Sequence, residues 1–179
     1  MNRIYPFFSL NSSSDDTSKI SSWKNFESIE SKISNSEICS WLLENGPITK
    51  RIKKNGAFKL HLIQDELSFI EQEDKDFIDC TSNKIKLREV ILLCNDVPIV
   101  FAQTIIPLET ISKGLEQLGS LGNKPLGDIL FEKDIFTKDK VVYALFENAS
   151  GMYWGRKAKY LVKGYKFSVM EIFLINTND

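Results

Sequence analysis

Residues 84–94 read KIKLREVILLC, residues 95–96 read ND, and residues 97–107 read VPIVFAQTIIP. Two apolar, β-rich runs separated by two residues that tolerate positive φ predict an antiparallel hairpin with a tight turn at Asn95-Asp96. Alternation along the first run puts Arg88, Val90, Leu92 and Cys94 on one face and Leu87, Glu89, Ile91 and Leu93 on the other. Either Arg88 or Glu89 therefore sits among apolar neighbours.

Working outward, residues 36–56 predict a helix, a turn and a second helix. Asn35 or Ser36 caps the first helix, whose stripe is Ile38, Trp41, Leu42 and Leu43. Asn45-Gly46 ends it, with the glycine taking the left-handed conformation, and Pro47 opens the next. Residues 57–72 alternate like a hairpin turning near Gln64-Asp65. Residues 108–133 return to helix, broken at 119–122, with a short amphipathic piece from Pro125 to Phe131. Strands are predicted again at 139–147, 152–163 and 165–175, the last two joined at Lys163-Gly164. Local hairpins dominate, so the expected class is α+β with an antiparallel sheet in one domain, residues 36–179. Residues 1–35 are expected to form a partly ordered N-terminal arm, rich in Ser, Asn and Asp, with a short helix over 18–34 carried by Ile20, Trp23, Phe26 and Ile29.

Composition narrows the function. The 179 residues are 42% hydrophobic and 26% charged, with formal net charge −1. Such a chain builds a core without staples and carries no charge excess for nucleic acid or an anionic membrane. Lys50, Arg51, Lys53 and Lys54 on the second predicted helix suit its C-terminal dipole better than a DNA groove. No apolar run reaches the roughly 18 residues of a membrane span, and the N-terminal stretch lacks the pattern of a secretion or transit signal. Cys39, Cys80 and Cys94 are odd in number and form no C-x-x-C, which points to a reducing compartment rather than a disulfide framework or zinc site. The one histidine, His61, lies in an alternating stretch and reads as a strand residue. No metal or cofactor is expected.

A second charge stands out on the last predicted strand. Phe167, Val169, Glu171, Phe173 and Ile175 share a face, so Glu171 is a carboxylate in an apolar row. Burying a charge costs several kcal/mol unless it is paired. Three readings stay open: Arg88 and Glu171 pair with each other, a bulge turns one of them outward, or they face one pocket where the guanidinium grips a carboxylate and the glutamate bonds a hydroxyl.

The run from Leu87 to Cys94 resembles the chorismate lyase family, in which an arginine opens an apolar run ending in cysteine. Further blocks follow in order: residues 41–51 (WLLENGPITKR), 104–107 (TIIP), 124–131 (KPLGDILF), 153–156 (YWGR) and 171–174 (EIFL). The resemblance covers residues 37–175, with the flavour of a cyanobacterial or plastid branch. It implies a six-stranded antiparallel sheet with two helix-turn-helix flaps over a closed pocket. It also implies cofactor-free conversion of chorismate to 4-hydroxybenzoate and pyruvate, feeding quinone synthesis in a cytoplasmic (or plastid stromal) monomer. By position, Arg88 pairs with the ring carboxylate, the amides of Ile48 and Leu126 add bonds from the flaps, and Glu171 meets the ring hydroxyl. A family arginine before the threonine of 104–107 is Gln103 here, so the second carboxylate needs another cation, Arg156 or Lys124. Asp128, where a cation is frequent, makes the mouth less positive. The rival is a non-catalytic sensor domain of the same fold, which in regulators follows a DNA-binding domain that residues 1–35 are too short to form. A third class is an interaction protein whose flap helices meet a partner.

Overall fold

A computed structural model describes residues 4–9, 12–132, 134–175 and 177. Within them the chain runs β1 (Ile4–Ser9), β2 (Ser12–Lys19), two 3-10 turns (Phe26–Ser28, Glu30–Lys32), α1 (Ser36–Leu42), α2 (Ile48–Asn55), β3 (Phe58–Ser68), α3 (Gln72–Phe77), β4 (Ile85–Cys94) and β5 (Val97–Pro107). It continues through a π-helical turn (Thr110–Gly114), a 3-10 turn (Glu116–Gly119), α4 (Leu126–Glu132), β6 (Phe136–Asn148), β7 (Gly151–Val162) and β8 (Tyr165–Phe173). The class is α+β, and the strands form one antiparallel sheet in the order β1-β2-β6-β7-β8-β5-β4-β3.

The β4–β5 hairpin lies one strand in from the β3 edge of this sheet. Asn95 and Asp96 have φ of 51° and 65°, the pair of positive values that a two-residue turn between right-twisted strands requires. Nearly every residue of β4 is buried, because the sheet is covered on both faces. One face carries Val90, Leu92 and Val100 against Ile38, Trp41, Leu42, Ile48 and Ile52 of α1 and α2. Beside them Ile106 and Phe167 pack on Leu118, Leu121 and Leu126 of the second helical segment. The other face carries Ile91, Phe101, Phe146 and Ile172 with Trp23, and Leu87 and Ile105 with Phe77 and Ile78. Phe101, Phe146 and Phe173 are fully buried, each stabilising by about 1.5–3 kcal/mol through area removed from water.

Four expectations are corrected. Eight strands are described instead of six, because the N-terminal residues pair: β1 lies on β2, and β2 on β6 through Ser18↔Glu147 and Lys19↔Phe146. The helix over 18–34 does not form; that stretch ends β2, makes a bridge at Lys24 to Tyr143 and then two single turns. Its apolar spacing was real, since Ile29 is buried in the core, but the contacts came from the sheet. Residues 57–72 are not a hairpin: β3 runs straight through Gln64-Asp65 with a bulge between Leu62 and Gln64, because β4 offers an 11-residue strand a full partner. Gly46 is not among the positive-φ glycines; α1 closes at Leu43, whose amide donates to Cys39. The Lys163-Gly164 turn does use positive φ at both residues, 51° and 84°. The helix cap is Asn35, whose side chain accepts from the amides of Glu37 and Ile38.

Candidate active site

The sheet register decides which charge faces which side. Arg88 pairs with Thr104, Thr104 with Val169, and Ala102 with Glu171. Arg88, Val90, Ala102, Thr104, Val169 and Glu171 line one cavity of about 600 Å³, its open mouth included. Glu89 points the other way and accepts from the Gln103 amide at 2.7 Å. Position 103 thus belongs to the outer face, and its departure from the family's arginine leaves the cavity wall unchanged.

Both flaps reach this cavity. Ile48 is the first residue of α2 and Leu126 the first of α4; each follows a proline and lines the wall. First-turn amides have no partner within their own helix. The flaps also touch each other: the Thr49 hydroxyl donates to Asp128 at 3.0 Å, and Lys53 lies 3.7 Å from the same carboxylate.

Arg88 is 2% exposed. Its Nη2 donates to the carbonyls of Gly122 and Lys124, both at 3.0 Å, while its Nε is buried with no partner. Burial lowers the guanidinium pKa, opposed by the charge of Asp65. Glu171, two strands away and one step along the same face, is not its partner. Strand spacing and rise put their backbones about 12 Å apart. Glu171 instead accepts from Arg156 Nε at 2.6 Å. Arg156 Nη1 donates to Leu42 and Glu44 carbonyls at 3.1 and 2.6 Å, so it ties the end of α1 to the acid. Burial pulls Arg156 down most, but the charge and hydrogen bond of Glu171 outweigh it and leave it above its usual value. Tyr160, stacked on Phe167 at 5.5 Å, also lines the wall, and burial then Glu171 hold its hydroxyl well above the ordinary phenol range.

Of the residues singled out from the sequence, Arg88, Glu171, Ile48, Leu126 and Arg156 meet at one cavity. Lys124 does not line it; its side chain is exposed and it contributes its carbonyl to Arg88. His61 lies on β3, outside the wall. Lys138 of β6 lines the cavity and was missed. Alternation counted back from Val141 puts Asp139 on the cavity face, but a bulge between Lys138 and Lys140 exchanges the two. Only the register shift could have revealed it.

A sheet face walled by two helical flaps, with an incompletely bonded guanidinium and an acid opposite, defines an α+β protein built to take a small anionic ligand. The chain belongs to the chorismate lyase family, whose pattern it matches over residues 18–178. Similar relatives include a probable chorismate pyruvate-lyase of Pseudoalteromonas translucida, 27% identical over 148 residues that cover 75% of this chain and 82% of that one. Another is the chorismate pyruvate-lyase of Pectobacterium atrosepticum, 30% identical over 141 residues and 76% of each chain. These relatives are proteobacterial and give the cyanobacterial or plastid branch no support. Among solved structures, the effector domain of PhnF from Mycobacterium smegmatis shares the fold, with a TM-score of 0.51 and 10% identity over 73% of this chain and 90% of that one.

Proposed function

We propose that this cavity converts chorismate to 4-hydroxybenzoate and pyruvate, with Arg88 and Glu171 at opposite ends of the ring. One observation carries the reading: two charges from separate strands face one cavity under both flaps and are not paired with each other. A buried guanidinium with a free Nε gains a charged hydrogen bond, about 1.5–3 kcal/mol, when a carboxylate arrives. The ring carboxylate fits Arg88, the first-turn amides of Ile48 and Leu126 add donors, and Glu171, aimed by Arg156, takes the 4-hydroxyl.

In the reaction the ether bond at ring C3 breaks, the hydrogen on C4 leaves, and the ring becomes aromatic. The C4 hydrogen ends on the methyl group of pyruvate, so atoms balance without an added reactant. Aromatisation supplies driving force, and the task left to these residues is orientation and electrostatic fit. Glu171 is the acceptor for a base-assisted path; a direct internal transfer needs only the alignment it provides.

Residues 36–179 carry every group of the site, in a cytoplasmic monomer whose product feeds quinone synthesis. The flaps meet beside the cavity through Thr49 and Asp128, and a product that leaves between them makes its release the slow step. The test is incubation with chorismate while following 4-hydroxybenzoate absorbance, with Arg88→Ala and Glu171→Gln beside the wild type. Near wild-type turnover and affinity in both variants would end the site assignment, and a burst no faster than steady state would end the slow-release reading. The rival, a non-catalytic small-carboxylate sensor, draws on the shared fold with an effector domain. It predicts chorismate or product binding with no pyruvate formed.

A further inference from the structure

Chorismate carries two carboxylates, and Arg88 serves one. Three other cations stand near the cavity. Lys124 is exposed outside the wall. Arg156 is committed to Glu171 and to two carbonyls of the first flap. Lys138 lines the wall and, among the described residues, no carboxylate is paired with it; its ammonium lies 5.8 Å from the Tyr160 ring centre.

The bulge in β6 makes this placement specific. Lys138 pairs with Tyr160, and Lys140 with Lys159. Without the extra residue, Asp139 would oppose Tyr160 and put a negative charge on the wall. With it, Asp139 turns to the outer face, 3.0 Å from Lys159, and Lys140 lies over Phe77 there. One inserted residue thus replaces an acid by a base. Beside the cavity a second hollow, also about 600 Å³ with its mouth, is walled by Leu42, Leu43, Val141 and Tyr143. The two share Lys138, Arg156 and Tyr160, so Lys138 stands in the partition between them.

We propose that Lys138 binds the enolpyruvyl carboxylate of the substrate from this wall of the cavity, with the side arm lying on the side of the second hollow. The inference rests on the chorismate reading of the cavity. It explains a useful asymmetry: the dicarboxylate substrate engages Arg88 and Lys138, whereas the monocarboxylate product engages Arg88 alone. Burial first, and then repulsion from Arg156, lower the Lys138 pKa, with Glu171 opposing. An incoming carboxylate relieves both.

The experiment compares wild type, Lys138→Met and Lys138→Arg in chorismate turnover and in inhibition by 4-hydroxybenzoate. Lys138→Met should raise KM for chorismate about tenfold or more, with kcat nearly kept and the inhibition constant of 4-hydroxybenzoate unmoved. Lys138→Arg should restore most of the loss. In wild type KM should climb as alkaline pH discharges the amine, and the arginine variant should lack that climb. An unchanged KM in Lys138→Met, or an equal loss of product affinity, overturns the assignment while leaving the lyase reading standing. A wild-type protein that forms no 4-hydroxybenzoate overturns both.

Discussion

The two faces of the sheet differ in how completely they pair their buried charges. On the outer face charges are pinned. Lys157 sits 2.5 Å from Asp74 between the rings of Trp23 and Phe77, Gln103 bonds Glu89, and Lys159 bridges Asp79 and Asp139. On the cavity face Glu171 is paired with Arg156, but the Arg88 Nε has no acceptor and, among the described residues, Lys138 is paired with no carboxylate. A paired buried charge fixes elements in place; one left open keeps a desolvation cost that a ligand can offset. The outer face therefore reads as architecture and the inner face as binding capacity.

Asp74→Ala breaks the comparison hardest. It strands Lys157 in the interior and should cost about 3–5 kcal/mol, a fall in Tm of roughly 10 °C. Turnover per folded molecule should persist at low temperature; thermal melts beside a chorismate assay check both. Arg88→Met is the mirror case. It should weaken 4-hydroxybenzoate binding by roughly 10- to 100-fold with a much smaller fall in Tm, since relief of an incompletely bonded buried charge offsets the loss of its bonds to the Gly122 and Lys124 carbonyls. A calorimetric titration and a melt would contradict the contrast if Tm fell as far as in Asp74→Ala.

Gly155 joins the two faces. A Cβ there would lie 2.7 Å from the Phe146 ring and 3.1 Å from the Glu171 carbonyl. Gly155→Ala should cost about 1–3 kcal/mol by overpacking, seen as a Tm loss of about 5 °C, and should lower kcat by disturbing the strand that carries Glu171. The smallest effect concerns Asp79. Hydrogen bonds from Lys166 and then Lys159 hold its carboxyl below the ordinary carboxylate value. Such a group stabilises the fold above its unfolded pKa, and that contribution is lost as pH falls through its folded pKa. Because the site is exposed, Asp79→Asn should melt within about 2 °C of wild type at pH 7, and the gap should close toward pH 3. A gap that widens in acid would contradict the pairing.

Much of the site was legible because alternation reports which residues share a face. It marked Arg88 and Glu171 as charges in apolar rows, and the motif blocks set Ile48 and Leu126 beside them. It could not say whether Arg88 or Glu89 turned inward, since two-fold alternation fits either side equally until other elements cover the sheet. It missed Lys138 because a single bulged residue inverts the pattern. It placed Lys124 among the ligands because sequence proximity to Leu126 does not fix where a long side chain points.

The sequence by itself determined the β4–β5 hairpin, its positive-φ turn, the two helices of the first flap with the Asn35 cap on the first, and the membership of the chain in its family. Those features depend on neighbours a few residues apart or on the order of motifs. Tertiary structure alone decided that Glu171 belongs to Arg156, that Arg88 keeps a free donor, and that a lysine stands where alternation expects an aspartate. These depend on register between strands far apart in the chain, where one residue of shift exchanges inside and outside.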